Sequence, residues 1–142
     1  MDEPPAYREP VRLPRPLVNQ LLHHAQTDQE REVCGLIAAH AGRPTRCLPV
    51  SNIAASPATR YEMDPEGQID AMRTMREGDE TLFAIYHSHP GSQAVPSATD
   101  LAHAAYPGTL YLIVSLKTKG ILELRGFLLE GGGFREVLLE FD

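Results

Sequence analysis

A chain of 142 residues fits one domain and is long enough to bury a hydrophobic core without disulfides. A net charge of −6, with no run of neighbouring basic residues, argues against nucleic acid and anionic membrane surfaces, which need a basic face. Two cysteines, Cys34 and Cys47, make neither a CxxC pair nor a disulfide framework, and no apolar run approaches the ~20 residues of a membrane helix. A reduced, cytoplasmic protein is expected.

The first residues, MDEPPAYREP, are acidic and Pro-rich. Without a basic or an apolar region they do not read as a signal peptide, and residues 1–10 are expected to form a flexible arm ahead of a single domain over 11–142. Next, PRPLVNQLLHHAQTD places Leu17, Leu21, Leu22 and Ala25 at helical spacing, with prolines suited only to a helix start, so a helix is predicted over 15–27. EVCGLIAAH is a short buried strand, AGRP a turn and TRCLPVSN a second strand, which makes 33–50 a hairpin. IAASPAT reads as loop and RYEM as a short extended piece. DPEGQIDAMRTMREGD has Pro at a first helical position and Gly78 as a stop, giving a helix over 65–77. Ile69, Met72 and Met75 are expected on its core face.

TLFAIYH is rich in aromatic and β-branched residues and predicts a strand. A Pro/Gly/Ser-rich loop leads to a helix over about 97–105, and TLYLIVSL is the most strand-like run in the chain. ILELRGFLLE and FREVLLEF flank a Gly-rich turn at 130–133 and read as a C-terminal hairpin. The interleaving of strands and helices implies an α/β fold around one mixed, partly antiparallel sheet.

The chemistry concentrates in YHSHPGSQAVPSATDL, residues 86–101. Residues i and i+2 of a strand face the same way, so His87 and His89 can grip one ion where the strand ends. Catalytic zinc usually keeps three protein ligands, and the nearest downstream carboxylate is Asp100. Ser97 suits the N-cap of the following helix, with SATD as a near-capping box that sets Asp100 in the first turn. Taken singly, these residues are better explained by surface or packed histidines and a capped helix; it is their occurrence together at fixed spacing that favours a metal site. A water-activating site also needs a base, and Glu32, directly before the buried strand VCGLIAA, is the candidate. Glu30 is its competitor, further from the apolar run. Cys34 is expected to be a buried thiol. His23, His24, His40 and His103 lack partners at ligand spacing.

The stretch HSHPGSQAVPSATD resembles the signature of the JAMM/MPN+ zinc metalloprotease family: His-x-His, seven residues, Ser, two residues, Asp. The family's upstream glutamate precedes a Cys-Gly pair, as in EVCGLI, and NIAASPATRYEMDPEGQ and TLYLIVSL are also similar to small bacterial members. The resemblance spans roughly residues 11–142. It implies a three-layer α/β/α sandwich similar to cytidine deaminases, although the Cys-x-x-Cys of a zinc deaminase site is missing. It further implies one zinc ion per chain held by His87, His89 and Asp100, with Glu32 as general base and Ser97 hydrogen-bonding the water or the developing oxyanion. The implied activity is amide hydrolysis at or after the C-terminal Gly-Gly of a ubiquitin-like sulfur-carrier protein, by a monomer or homodimer. The thin tail would add as a strand beside the cleft, with residues 51–60 and 91–95 as candidate walls. The alternative is a non-catalytic MPN-type scaffold that binds proteins.

Overall fold

The computed structural model describes residues 10–104, 106–117 and 122–142. The expected N-terminal arm therefore lies outside the described residues, Pro10 apart. The first elements are strand β1 (Val11–Leu13), helix α1 (Arg15–Gln26), strands β2 (Cys34–His40) and β3 (Arg43–Val50), and helix α2 (Pro65–Glu77). Strand β4 (Thr81–His89), helix α3 (Ala98–His103) and strand β5 (Leu110–Ser115) follow. Strands β6 (Glu123–Glu130), β7 (Gly133–Val137) and β8 (Leu139–Phe141) complete the chain.

Six strands form one sheet in the order β3-β2-β4-β5-β6-β7. Strands β4 and β5 run parallel and the other neighbours antiparallel, so the sheet is mixed as expected. A parallel pair needs a crossover, and the segment between β4 and β5 supplies it, carrying α3. Alternation along the strands separates two cores. Ile37, Ala84, Tyr86, Leu112 and Leu128 pack with Leu17 and Leu21 of α1, while Leu36, Ala38, Ile85, Tyr111 and Leu129 pack with Ala71 and Met75 of α2. Helices on both faces give the expected α/β/α layering.

Strand β1 is an addition to the expected elements. Three residues between prolines carry too little pattern to announce a strand, yet β1 pairs in parallel with β8, Val11 opposite Leu139. This two-stranded sheet lies on the α1 side, where Val11 and Leu139 pack against the core cluster. Gly126 leaves room for it, because a Cβ there would stand 2.9 Å from Leu139 Cδ2. The turn at 130–133 is a tight hairpin connection: Gly131 and Gly132 both have positive φ, at 60° and 81°, and Glu130 pairs with Gly133.

The face of α2 differs from the expectation. Met75 is buried as expected, but Ile69 and Met72 are 63% and 42% exposed. Ala71 and Met75, four residues apart, form the docking stripe. Ile69 is two positions from Ala71, about 200° around the helix, and points away from the sheet.

Gly35 sits where β2 meets its two neighbours. A Cβ there would be 2.6 Å from the Leu48 carbonyl oxygen and 2.6 Å from the Tyr86 hydroxyl. Tyr86 is buried, pairs with Gly35 across the sheet and bonds His24 of α1 through its hydroxyl at 2.7 Å. Neither a strand carbonyl nor this anchored ring can retreat. Gly35→Ala is therefore expected to lower the unfolding free energy by at least about 2 kcal/mol, read as a shifted denaturant midpoint at constant slope.

Candidate metal centre

The site forms where the carboxyl end of β4 meets the entry to β2. Cys34 pairs with His87 in an antiparallel register, and the ladder extends one step beyond β2. Ser88 N–H donates to the Val33 carbonyl at 3.0 Å, and Val33 N–H donates to Ser88 Oγ at 2.9 Å. Continuing that register sets Glu32 opposite His89. Paired residues share a face, so Glu32, Cys34, His87 and His89 all lie on the α2 side. Ser88 faces the other way, consistent with its bond to Val33.

The crossover returns Asp100 to this strand end. Ser97 caps α3: its Oγ accepts the Asp100 N–H at 2.9 Å, and its own N–H donates to Asp100 Oδ2 at 2.9 Å. This capping box fixes the carboxylate while one oxygen faces the histidines. The half-buried Ser97 hydroxyl keeps its proton available, since the cap uses the oxygen only as an acceptor.

Glu32, His87, His89 and Asp100 are all buried and form one candidate metal group, with ligand atoms within 4.8 Å of one another. His87 Nε2, His89 Nε2 and Asp100 Oδ2 make a nearly equilateral triangle with sides of 3.1, 3.1 and 3.2 Å. A tetrahedral ion with ligands ~2.0–2.1 Å away sets neighbouring ligand atoms ~3.3 Å apart, close to this triangle. Protons fit it less well. His89 Nδ1 lies 2.7 Å from the Gln93 carbonyl, which can only accept, so this nitrogen carries a hydrogen and, in the neutral imidazole that a metal requires, Nε2 presents a lone pair. Two acceptors and at most one proton then face each other across three short edges. A cation satisfies all three atoms together. Burial pulls His87 below its ordinary value, which keeps the imidazole neutral and its lone pair available. Burial would raise Asp100, but the two imidazoles beside it and the hydrogen bond from the Ser97 N–H hold it well below the usual carboxylate range.

Glu32 plays a different part in the geometry. Its Oε1 is buried without a hydrogen-bond partner, and a carboxylate oxygen stands within 4.8 Å of the donor atoms of the triangle. Burial pushes it up to about 8, with His89 drawing it down and Asp100 raising it. A bound dication would pull it back toward the ionised form. Behind it, burial and the Glu32 charge push the Cys34 thiol up to about 12, and its sulfur donates to the Val50 carbonyl at 3.3 Å. Cys34 is thus the buried thiol expected. Glu30, the competing base, is exposed and its amide is tied to Asp28.

Three supporting residues were missed in the sequence. Asn52 uses its full hydrogen-bonding capacity: Nδ2 donates to the Glu32 and Arg60 carbonyls, and Oδ1 accepts from Ala54 and Glu62 N–H, all at 3.0–3.1 Å. Tyr61 stacks on His87 with ring centroids 4.5 Å apart. Gln93 supplies the carbonyl that orients His89. An Asn directly after a strand was the one available signal; backbone carbonyls and ring stacking leave none. Of the expected wall over 51–60, Arg60 lines a cleft of about 310 Å³ beside Asp100, together with Tyr61, which lies just outside that wall. Segment 91–95 instead holds His89 and buries Ala94 against Ile113 and Phe127.

Comparison with known proteins agrees with this geometry. Residues 14–125 match the family described as prokaryotic homologs of the JAB domain, and the chain belongs to that family, small prokaryotic members of the JAMM/MPN+ group. It is 38% identical over 122 residues to the CysO-cysteine peptidase of Mycobacterium tuberculosis, covering 84% of this chain and 83% of that protein. It is 41% identical over 103 residues to the desampylase of Haloferax volcanii, covering 68% and 74%. A solved protein from Desulfitobacterium hafniense superposes with a TM-score of 0.84 at 30% identity, over 93% of this chain and 92% of that one. A JAB1/MPN domain protein from Archaeoglobus fulgidus shares the fold at a TM-score of 0.63 and 18% identity, over 94% and 99%. The peptidase names of these relatives support a hydrolase. No helix among the described residues is long and apolar enough to cross a membrane.

Asn52→Ala would strip partners from four backbone groups around Glu32. A loss of roughly 2–3 kcal/mol in urea unfolding is expected, with a smaller loss for Asn52→Asp, which keeps the acceptor.

Proposed function

We propose that the protein is a zinc-dependent JAMM-type metallopeptidase that hydrolyses an amide bond at or after the C-terminal Gly-Gly of a ubiquitin-like sulfur-carrier protein in the cytoplasm. The observation that carries this reading is the buried triangle of His87, His89 and Asp100 with the unpartnered Glu32 carboxylate beside it. A scaffold of the same fold has no use for four buried ionisable groups at one strand end, which are costly to bury without a partner ion. The names of relatives support the substrate class: the Thermus thermophilus protein, 33% identical, is a probable TtuB-protein conjugate cleaving protease.

His87, His89 and Asp100 would hold the ion. When bound, zinc polarises the scissile carbonyl and makes water acidic enough to act near neutral pH. Glu32 takes the proton from the attacking water through its free Oε1 and returns it to the leaving amine. The Ser97 hydroxyl, with its proton uncommitted, donates to the developing oxyanion. Burial of the strand end excludes bulk water and strengthens each of these contacts. A Gly-Gly tail carries no side chains to collide with the walls at Arg60 and Tyr61, which suits a cleft of about 310 Å³.

The direct test incubates purified, zinc-loaded protein with sulfur-carrier proteins bearing C-terminal extensions and reads intact masses. Loss of the extension after Gly-Gly is expected; unchanged masses across the set would remove the substrate assignment. Glu32→Gln should keep zinc at full stoichiometry and lower turnover by about 10²–10⁴-fold. Full activity in that variant would show that another group moves the proton. His87→Ala should lose zinc in elemental analysis, and retained stoichiometric metal would take it out of the ligand set.

A further inference from the structure

We propose that Tyr61 is a positioning residue for the metal centre: its ring face sets the plane of His87 and thereby the shape of the donor triangle. The inference rests on the metal site proposed above but assigns a role that the ligand set does not contain.

The two histidines are oriented by different means. His89 is held at its far nitrogen, where Nδ1–H donates to the Gln93 carbonyl at 2.7 Å. His87 has no such bond, and its Nδ1 is buried without a hydrogen-bond partner. An imidazole on a strand can still rotate about its side-chain torsions, so some other contact has to fix its plane. The Tyr61 ring provides a face. Its centroid is 4.5 Å from that of His87 and the planes differ by 27°, a stacked arrangement. The His87 and His89 rings are themselves tilted by 59° with centroids 4.9 Å apart, so they do not stack on each other.

Tyr61 is placed as deliberately as Gln93. The Arg60 carbonyl on one side of it and the Glu62 N–H on the other both bond the Asn52 side chain. Asn52 also bonds the Glu32 carbonyl. One amide therefore ties the backbone that carries Tyr61 to the backbone that carries Glu32. Outer contacts that orient a ligand commonly change metal affinity by about 10–100-fold when removed. Here a ring face takes the place usually filled by a hydrogen-bond acceptor.

The test measures zinc dissociation constants of wild type, Tyr61→Phe and Tyr61→Leu by competition with a chromophoric chelator. Tyr61→Phe keeps the face and should bind within about two-fold of wild type, while Tyr61→Leu should lose about 10-fold or more. Ring-proton resonances of His87 in the metal-free proteins supply a second readout: the ring-current shift should persist in Phe and vanish in Leu. Zinc binding by Tyr61→Leu as tight as wild type would overturn the proposal alone. So would a loss in Tyr61→Phe as large as in Leu, since the hydroxyl would then be responsible. Should Tyr61→Leu fail to fold, the Phe variant still decides between ring face and hydroxyl. A wild-type chain that binds no zinc would overturn both this role and the metal site beneath it.

Discussion

The antiparallel register between β2 and β4 is the constraint on which the rest depends. Cys34 opposite His87 sets Glu32 opposite His89 and keeps all four residues on one face. A slip of one residue would turn Glu32 to the α1 side and leave the histidines without it. Several contacts hold the register. Ser88 and Val33 exchange two hydrogen bonds just beyond β2. Gly35 fits between the Leu48 carbonyl and the Tyr86 ring, with no room for a side chain. Tyr86 reaches through to His24, so α1 also bears on the pairing that aligns the site on the opposite face.

A parallel crossover supplies the second condition. Because β5 runs parallel to β4, the chain has to leave the sheet after His89 and return, and α3 starts on that path. The capping box turns a local requirement of helix initiation into a placement device, since the atom that caps, Asp100 Oδ2, is also the third corner of the triangle. Stability and site geometry share the same bonds here. In the proposed chemistry the two halves divide the labour: residues 87–100 hold the ion, and Glu32, more than fifty positions upstream, moves the proton.

Much of this was legible in the sequence. Short apolar or β-branched runs between turn residues marked every long strand, helical spacing, first-turn prolines and the Ser97 cap marked the three helices, and the His-x-His, Ser and Asp spacing with an upstream Glu-x-Cys-Gly marked the four residues that the fold brings together. What stayed hidden has physical reasons. Strand β1 is three residues long and is stabilised by β8, the last strand, a contact without local signal. The face of α2 was misread at Ile69 and Met72 because hydropathy favours Ile and Met, whereas the helix docks through Ala71, whose small side chain permits close approach. Asn52 ends the stretch that read as the second strand, and Tyr61 lies in one that read as a short extended piece. Their importance comes from an amide with all four bonds engaged and a ring stacked on His87, neither of which has a periodicity to detect.

The account stands on a single claim, that the triangle of His87, His89 and Asp100 is built around a cation. Anomalous diffraction recorded on both sides of the zinc absorption edge, from crystals of protein purified without added metal, tests it most directly. The account predicts one anomalous peak per chain, bonded to His87 Nε2, His89 Nε2 and Asp100 Oδ2, with the Glu32 carboxylate outside bonding distance. Well-ordered side chains with no peak among them after soaking in zinc, or a peak at other residues alone, would contradict it.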